Sequence, residues 1–342
     1  MNESKHILVT GGAGYIGSHT VVELIEHGYI PVIVDDFSNS TEQVIEGLKE
    51  ITKTTIIVHR IDTCDFTKLK AIFELYSFAG VIHFAAFKAV RESIQEPLNY
   101  YRNNLSGLIN VLDLSKEFEV KNIVFSSSCA VYGNLDGGKV VSEETEPKEA
   151  TSPYGSTKSF GEQIISDLIK SGVDIKALNL RYFNPIGAHS STLIGELPLG
   201  SPNNLMPIIT QSAVGKFGEI KVYGNDYNTV DGTCVRDYVH VVDVANAHVK
   251  GLTWLIEQDH ALEEHINIGT GKGTSVLEII ETFERISKTK LNWSFAPRRD
   301  GDVAEIYADA SKAIQVLGWK SNKTVEQAVS DAWDWELKLK HG

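Results

Sequence analysis

The sequence predicts an α/β fold, a doubly wound parallel sheet followed by a smaller C-terminal domain, and three observations predict it. Short β-branched runs alternate with amphipathic stretches of helical length, a glycine-rich turn closes the first run, and the rhythm breaks after Phe183. In order, "HILVT" is followed by "YIGSHTVVELIEHG", then come "PVIVDD", "TIIVHRID", "GVIHFAA", "KNIVFSSS" and "IKALNLRYF", with helical stretches between them. Strand, helix, strand, repeated, places helices on both faces of a parallel sheet. Beyond Phe183, "NPIGAHSSTLIGELPLGSPNN" is rich in Gly, Pro, Ser and Asn, and helical patterning resumes at Leu205. The expected division is a sheet domain over residues 1–185, rejoined by about 236–262, and a ligand-binding domain over 186–342.

Composition narrows the function classes. A chain of 342 residues with 42% hydrophobic content buries a substantial core. "MNESKHILVTGGAG" runs directly into a strand and reads as no signal peptide, and the longest apolar runs fall short of a span of about 20 residues. A cytoplasmic protein without membrane partners is the expectation. Cys64, Cys129 and Cys234 are widely spaced and form no CxxC, so neither a disulfide framework nor a zinc site is indicated. His83, His189 and His240 also lack ligand spacing, and no metal is expected. A net charge of −13 argues against nucleic-acid binding, so an anionic ligand must find a local basic cluster.

"VTGGAGYIGSH" carries the first chemistry. Gly11, Gly14 and Gly17 follow a strand and open a helix, where glycine permits a tight turn and lets the backbone approach a pyrophosphate seated on the helix N-terminus. The next strand ends at Asp35, eighteen residues beyond Gly17, where a carboxylate accepts hydrogen bonds from an adenine ribose. A 2′-phosphate would meet Asp35 and Asp36 as like charges, so the Rossmann-type site is read as one for NAD rather than NADP. "GTGKGTS" at Gly269–Ser275 only imitates a phosphate loop, because Lys272 is followed by glycine, and it reads as a strand-to-helix turn.

A second motif is "TSPYGSTK". With 12 tyrosines in the chain, roughly one YxxxK is expected by chance, so context has to support it. Ser152 is a candidate N-cap with Pro153 at the first helical position, which puts Tyr154 and Lys158 on one face a turn apart. An ammonium near a phenol is expected to pull the tyrosine toward phenolate and make it a usable base. "FSSSCAVYG" sets Ser126, Ser127 and Ser128 at the carboxyl edge of the sheet, where ligands bind in such folds.

TGGxGxxG, a strand ending in three serines and YxxxK together resemble the extended short-chain dehydrogenases/reductases. Within them, "VIHFAAFKAV", "PLNYYRNN", "RYFNPIGAH", "PNNLMP", "YGNDYNTVDGTCVRDYVHV" and "RRDGDV" are similar to the epimerases of uridine diphosphate sugars, over nearly the whole chain. The resemblance implies UDP-glucose and UDP-galactose as substrates, in galactose metabolism. It implies that Tyr154 takes the proton of the sugar 4-hydroxyl as hydride leaves C4 for NAD. Lys158 binds the nicotinamide ribose and tunes Tyr154, and Ser128 hydrogen-bonds the reacting oxygen. The 4-keto sugar then turns over and takes hydride back on its opposite face, so the cofactor need not leave. By the same resemblance Tyr15, Ile16, Asp36, Asn39, Asp62, Phe84, Lys88, Asn103 and Tyr182 join the cofactor site, and Asn184, Asn204, Arg236, Arg299, Asp302 and Ile306 the substrate site.

The chain also departs from that pattern. Arg91 and Ala86 stand where glycines are usual, and Ile306 stands where relatives carry a large Tyr or a small Cys or Ser. Its intermediate volume implies poor but measurable activity on UDP-N-acetylhexosamines. "NNLSGLINVLDLSKEF" carries two apolar stripes, Leu105/Leu108/Ile109/Leu112 and Val111/Leu114/Phe118, and "FGEQIISDLI" offers Phe160, Ile164, Ile165 and Leu168. Helices apolar on two faces want two partners, which with the resemblance implies a homodimer through a four-helix bundle. Two rivals are a 4,6-dehydratase and a non-catalytic NAD binder. The first needs Asp-Glu where Cys129 and Ala130 stand, and the second has no use for Tyr154 and Lys158.

Overall fold

A computed structural model describes residues 5–135, 140–299 and 302–341. Its centre is a sheet of seven strands: β1 (His6–Thr10), β2 (Ile30–Asp35), β3 (Ile57–Arg60), β4 (Phe78–His83), β5 (Asn122–Ser128), β6 (Lys176–Tyr182) and β7 (Leu262–Ile268). All neighbours are parallel, in the order β7-β6-β5-β4-β1-β2-β3. The chain therefore builds outward from β1 to β3, crosses back to β4 and builds the other way. Where it reverses, between β1 and β4, the crossovers diverge and leave a crevice at the carboxyl ends of the strands.

Alternation along each strand feeds two separate layers. Ile7, Val9, Ile33, Ile82, Val124, Leu178 and Leu180 face one way, into a core shared with α1 (Tyr15–Glu26), α2 (Glu42–Thr52) and, later in the chain, α6 (Val241–Ile256). Leu8, Val32, Val34, Val81, Ile123 and Phe125 face the other way, onto α3 (Phe66–Leu75), α4 (Pro97–Glu117) and α5 (Pro153–Lys170). Strands apolar on both faces read as continuous hydrophobic runs, which is why "HILVT" and "PVIVDD" were legible.

The return of the chain to this sheet runs past the expected 236–262. Leu262–Ile268 forms the edge strand β7, and Trp319, just after helix Ser311–Leu317, is buried in the α1/α6 layer with its indole N–H donated to the Asp243 carbonyl at 2.9 Å. β7 was hard to see because only Ile266, Asn267 and Ile268 are buried, while the charged first half, "LEEH", is half-exposed at the edge. "GTGKGTS" lies between β7 and helix Val276–Ser287, whose Ser275 and Glu278 form a reciprocal capping box. Beyond the sheet, helices Leu205–Ala213, Val276–Ser287 and Val325–His341 enclose a second core of Ile209, Ile220, Val222, Ile280, Phe283 and Val329.

The two stripes expected on α4 are distributed differently from their reading. Leu108, Val111, Leu112 and Leu114, drawn from both stripes, are all buried against the sheet, and Ile109 is left 43% exposed. The helix turns about 100° per residue, so the stripes overlap on the inner face, and of its large apolar side chains Ile109 and the N-terminal Leu98 are the exposed ones.

Candidate active site

Glycines build the first wall of the crevice. Gly11 has φ 69 and donates its N–H to the Val34 carbonyl at 2.8 Å, which ties the end of β1 to β2. A Cβ on Gly11 would meet the Ala85 backbone nitrogen at 2.8 Å, and one on Gly17 would meet the Gly11 carbonyl oxygen at 2.3 Å. Gly14 caps α1 through its backbone, without a side-chain hydrogen bond, so the first N–H groups of that helix open toward the crevice. Such a cradle suits a pyrophosphate.

Asp35 ends β2 beside this turn. One carboxylate oxygen accepts from the Ala13 N–H at 2.9 Å, and the other accepts from the Phe37 N–H at 2.9 Å and the Ser40 hydroxyl at 3.1 Å. Phe37 holds φ 60 to close that turn. Burial pushes the Asp35 carboxyl up while these hydrogen bonds pull it back. Asp36 is exposed and accepts from the Ser38 N–H and hydroxyl, Asn39 is exposed nearby, and Asp62 accepts from the Cys64 N–H at 2.8 Å. Ile16 packs onto the α1 core, and Phe84 lies against His248 with ring centroids 4.6 Å apart.

Across the crevice stand the catalytic candidates. Ser152 caps α5, its hydroxyl accepting from the Gly155 N–H at 3.2 Å, with Pro153 in the first turn. That cap aims Tyr154 and Lys158 at the end of β5. Ser128 accepts from the Ala130 N–H at 3.2 Å and lies beside the Tyr154 phenol, which it favours in its charged form. Lys158 is 4% exposed, donates to the Ser126 carbonyl at 2.6 Å and lies 6.0 Å from the Tyr154 ring centroid. The Ser126 hydroxyl is hydrogen-bonded to Tyr182.

Burial dominates the electrostatics of this pair. Burial raises the Tyr154 phenol well above its ordinary range, and Ser128 beside it lowers it. Burial also pulls the Lys158 ammonium down to about 7. Both groups leave water together, and desolvation is the largest influence on each.

Asn104, Glu162 and Glu196 support this wall and were not singled out from sequence. Asn104 accepts from the Phe87 N–H at 2.8 Å and from Asn103, and donates to the Thr157 hydroxyl at 3.0 Å, pinning the loop that carries Lys88 to α5. Glu196 accepts from Lys88 at 3.0 Å and from Asn204 at 2.6 Å, joining a residue expected at the cofactor to one expected at the substrate. Lys88 also lies 5.7 Å from the Tyr15 ring centroid, while the Tyr15 hydroxyl donates to the Gly187 carbonyl at 2.7 Å.

The remaining candidates converge from the second half. Asn184 donates its N–H to the Asp237 carbonyl at 2.9 Å, in a strand pair beside Tyr238. Arg236, next to Asp237, pairs with Asp302 at 3.2 Å and sits opposite Ile306 in the neighbouring strand. Asp237 is fully buried and accepts from four donors, the N–H groups of Thr270, Gly271 and Ala308 and the Thr270 hydroxyl, so it ties the strands that carry Arg236 and Ile306 to the turn at Thr270 and Gly271. Ile306 is 7% exposed among Val131, Tyr132, Phe183 and Ala308. Arg299 stacks on Tyr223 at 3.9 Å and Arg298 on Tyr227 at 4.1 Å, the latter also paired with Asp226. Among the described residues no group of His, Cys, Asp or Glu could hold a metal ion.

A doubly wound sheet, a glycine cradle at its switch point and a Ser-Tyr-Lys set on the opposite wall define a short-chain dehydrogenase/reductase of the extended kind. The family model described as GDP-mannose 4,6 dehydratase matches residues 8–332. Among curated proteins, the UDP-glucose 4-epimerase of Dictyostelium discoideum is 48% identical over 96% of this chain and 95% of its own length, and that of Homo sapiens is 46% identical over 99% and 98%. Among solved structures, UDP-glucose 4-epimerase of Stenotrophomonas maltophila with bound NAD and formylated UDP-arabinopyranose superposes with a TM-score of 0.95 at 45% identity, covering 98% of this chain and 99% of that one. The Bifidobacterium longum enzyme in complex with NAD+ and UDP gives 0.94 at 42% identity, with the same coverage. The chain belongs to the UDP-glucose 4-epimerase family.

Proposed function

We infer that the protein interconverts UDP-galactose and UDP-glucose, and the observation that carries this reading is the meeting of Ser128, Tyr154 and Lys158 opposite the glycine cradle. Gly11, Gly14 and Gly17 would hold the pyrophosphate of NAD, Asp35 the adenine ribose and Lys158 the nicotinamide ribose; the cofactor supplies a hydride acceptor and donor at the sugar C4. Tyr154 takes the 4-hydroxyl proton and later returns it, and Ser128 orients the same oxygen. Burial disfavours phenolate at Tyr154, and the positive charge of an oxidised nicotinamide beside it would favour it. Asn184, Asn204, Arg236 and Arg299 hold the uridine diphosphate end, with Asp302 setting the Arg236 guanidinium. Tyr154→Phe should lower kcat by ~10³-fold or more while leaving NAD bound; a variant that turns over normally would refute this assignment.

The dehydratase description of the family model does not extend to the chemistry of this site. A dehydratase needs an acid beside the catalytic serine, and here Ala130 has none and burial pushes the Cys129 thiol up to about 11.

Three finer readings accompany the first. Leu98, Ile109 and Phe160 are 71%, 43% and 49% exposed on the paired helices α4 and α5, which supports a homodimer through a four-helix bundle. A cytoplasmic location accords with three free cysteines, and among the described residues no helix is long and apolar enough to cross a membrane. Buried beside Arg236, Ile306 limits the volume at the sugar 2-position, so UDP-N-acetylhexosamines react poorly.

A further inference from the structure

Ser127 and Arg181 are register partners on β5 and β6, and both project onto α5. There one carboxylate meets them. Glu162 accepts from the Ser127 hydroxyl at 2.6 Å and from Arg181 at 2.9 Å and 2.6 Å, on two oxygens in a bidentate fork. The pair is 9% and 5% exposed at the side chain, and Arg181 is held from the far side by the Tyr132 hydroxyl at 3.2 Å and His265 at 3.2 Å. Glu162 stands one helical turn after Lys158, as Lys158 stands one turn after Tyr154. Residues next to the knot, Ser126 and Ser128, hold Lys158 and lie beside Tyr154 respectively.

We propose that Glu162 is a positioning residue for the reaction, seating α5 on the ends of β5 and β6 through Ser127 and Arg181 and serving as the counter-charge of the Lys158 ammonium. The proposal rests on the reading of Tyr154 and Lys158 given above. A buried ion pair is weak evidence of stability, since apolar replacements often do as well, so its place one turn from the catalytic lysine asks for another explanation.

Most of the titratable groups around Lys158 are neutral. His83 on β4 and His248 on α6 face Lys158, but burial pulls them down to about 3 and about 4, so both are neutral. Tyr154 on the same helix, and Tyr182 and Tyr100 facing it from β6 and α4, are all raised and uncharged. His265, with Glu263 behind it, approaches Glu162 at 3.5 Å rather than Lys158. Glu162 raises Lys158 against its burial, and the Arg181 guanidinium on the far side of Glu162 offsets part of that charge.

The test labels lysine Cε with carbon-13, follows the Lys158 resonance against pH, assigns it by Lys158→Met, and measures kcat on UDP-galactose over the same range. In Glu162→Gln the Lys158 midpoint and the alkaline limb of kcat both move down by about one unit, whereas in Glu162→Asp, which keeps the charge, the midpoint stays near the parent value. A folded Glu162→Gln with an unmoved midpoint overturns the proposal. If Glu162→Gln does not fold, the paired replacement Glu162→Met with Arg181→Met removes both charges and the fork together, so the Lys158 midpoint moves little while kcat falls, and an unchanged kcat overturns the seating role. Should the parent protein fail to turn over UDP-galactose, the functional reading fails first, while the NMR midpoint still decides the role of Glu162.

Discussion

The two ends of the cleft are made of different material. At the cofactor end the shape comes from main chain within a few residues, where Gly11, Gly14 and Gly17 leave no room for side chains and α1 begins without a side-chain cap. At the end proposed for the substrate it comes from side chains gathered over more than a hundred residues, already paired with one another: Arg236 with Asp302, Asn204 with Glu196, Arg299 on Tyr223. A backbone cradle is fixed once the sheet forms and tolerates almost no substitution. A side-chain site can be retuned one residue at a time, which is how one fold serves many nucleotide sugars.

That contrast can be broken most sharply at Gly17. A Gly17→Ala methyl must sit 2.3 Å from the Gly11 carbonyl oxygen, so the turn has to shift, and NAD retained through purification should fall by ~10-fold or more, with activity falling in parallel. If Gly17→Ala purifies with a full complement of NAD, the cradle is not rigid. Arg236→Ala is the opposite case. Leaving Asp302 unpaired beside a diphosphate should raise KM for UDP-galactose ~10²-fold while bound NAD is unchanged, as equilibrium dialysis and release by denaturation would show.

Lys158 acts on stability as well as chemistry. Its folded-state value of about 7 lies below the unfolded 10.5, so between these the unfolded chain binds more protons and stability rises with pH. The penalty is fully present below about pH 7 and fades toward 10.5. Lys158→Met should therefore abolish turnover yet raise the Tm of cofactor-free protein by a few degrees at pH 6, and by progressively less above pH 8, measured by calorimetry. The smallest effect is expected at Ile306. Ile306→Ser should improve the rate on UDP-N-acetylglucosamine relative to UDP-glucose by about 10-fold, and an unchanged ratio would remove the gate from Ile306.

Much of the cofactor end was legible because its determinants are local and periodic. Strand, glycine turn, helix and Asp35 lie within thirty residues, and Ser152-Pro153 announces the start of α5. The knots were not legible, because each joins distant segments: Glu162 reaches Arg181, Asn104 reaches Thr157, Glu196 reaches Lys88, and Asp237 reaches Thr270 and Ala308. Nothing in the spacing of a glutamate says that it will be buried on an arginine. The depth of a side chain is likewise a property of the fold, and desolvation is the largest influence on both Tyr154 and Lys158.

The most direct measurement incubates the purified protein with UDP-galactose, adds no cofactor, and follows UDP-glucose by chromatography while recording nicotinamide absorbance. Conversion to an equilibrium mixture, with no stoichiometric build-up of reduced nicotinamide and none of it in Tyr154→Phe, is the predicted result. No conversion even with NAD supplied would contradict the account.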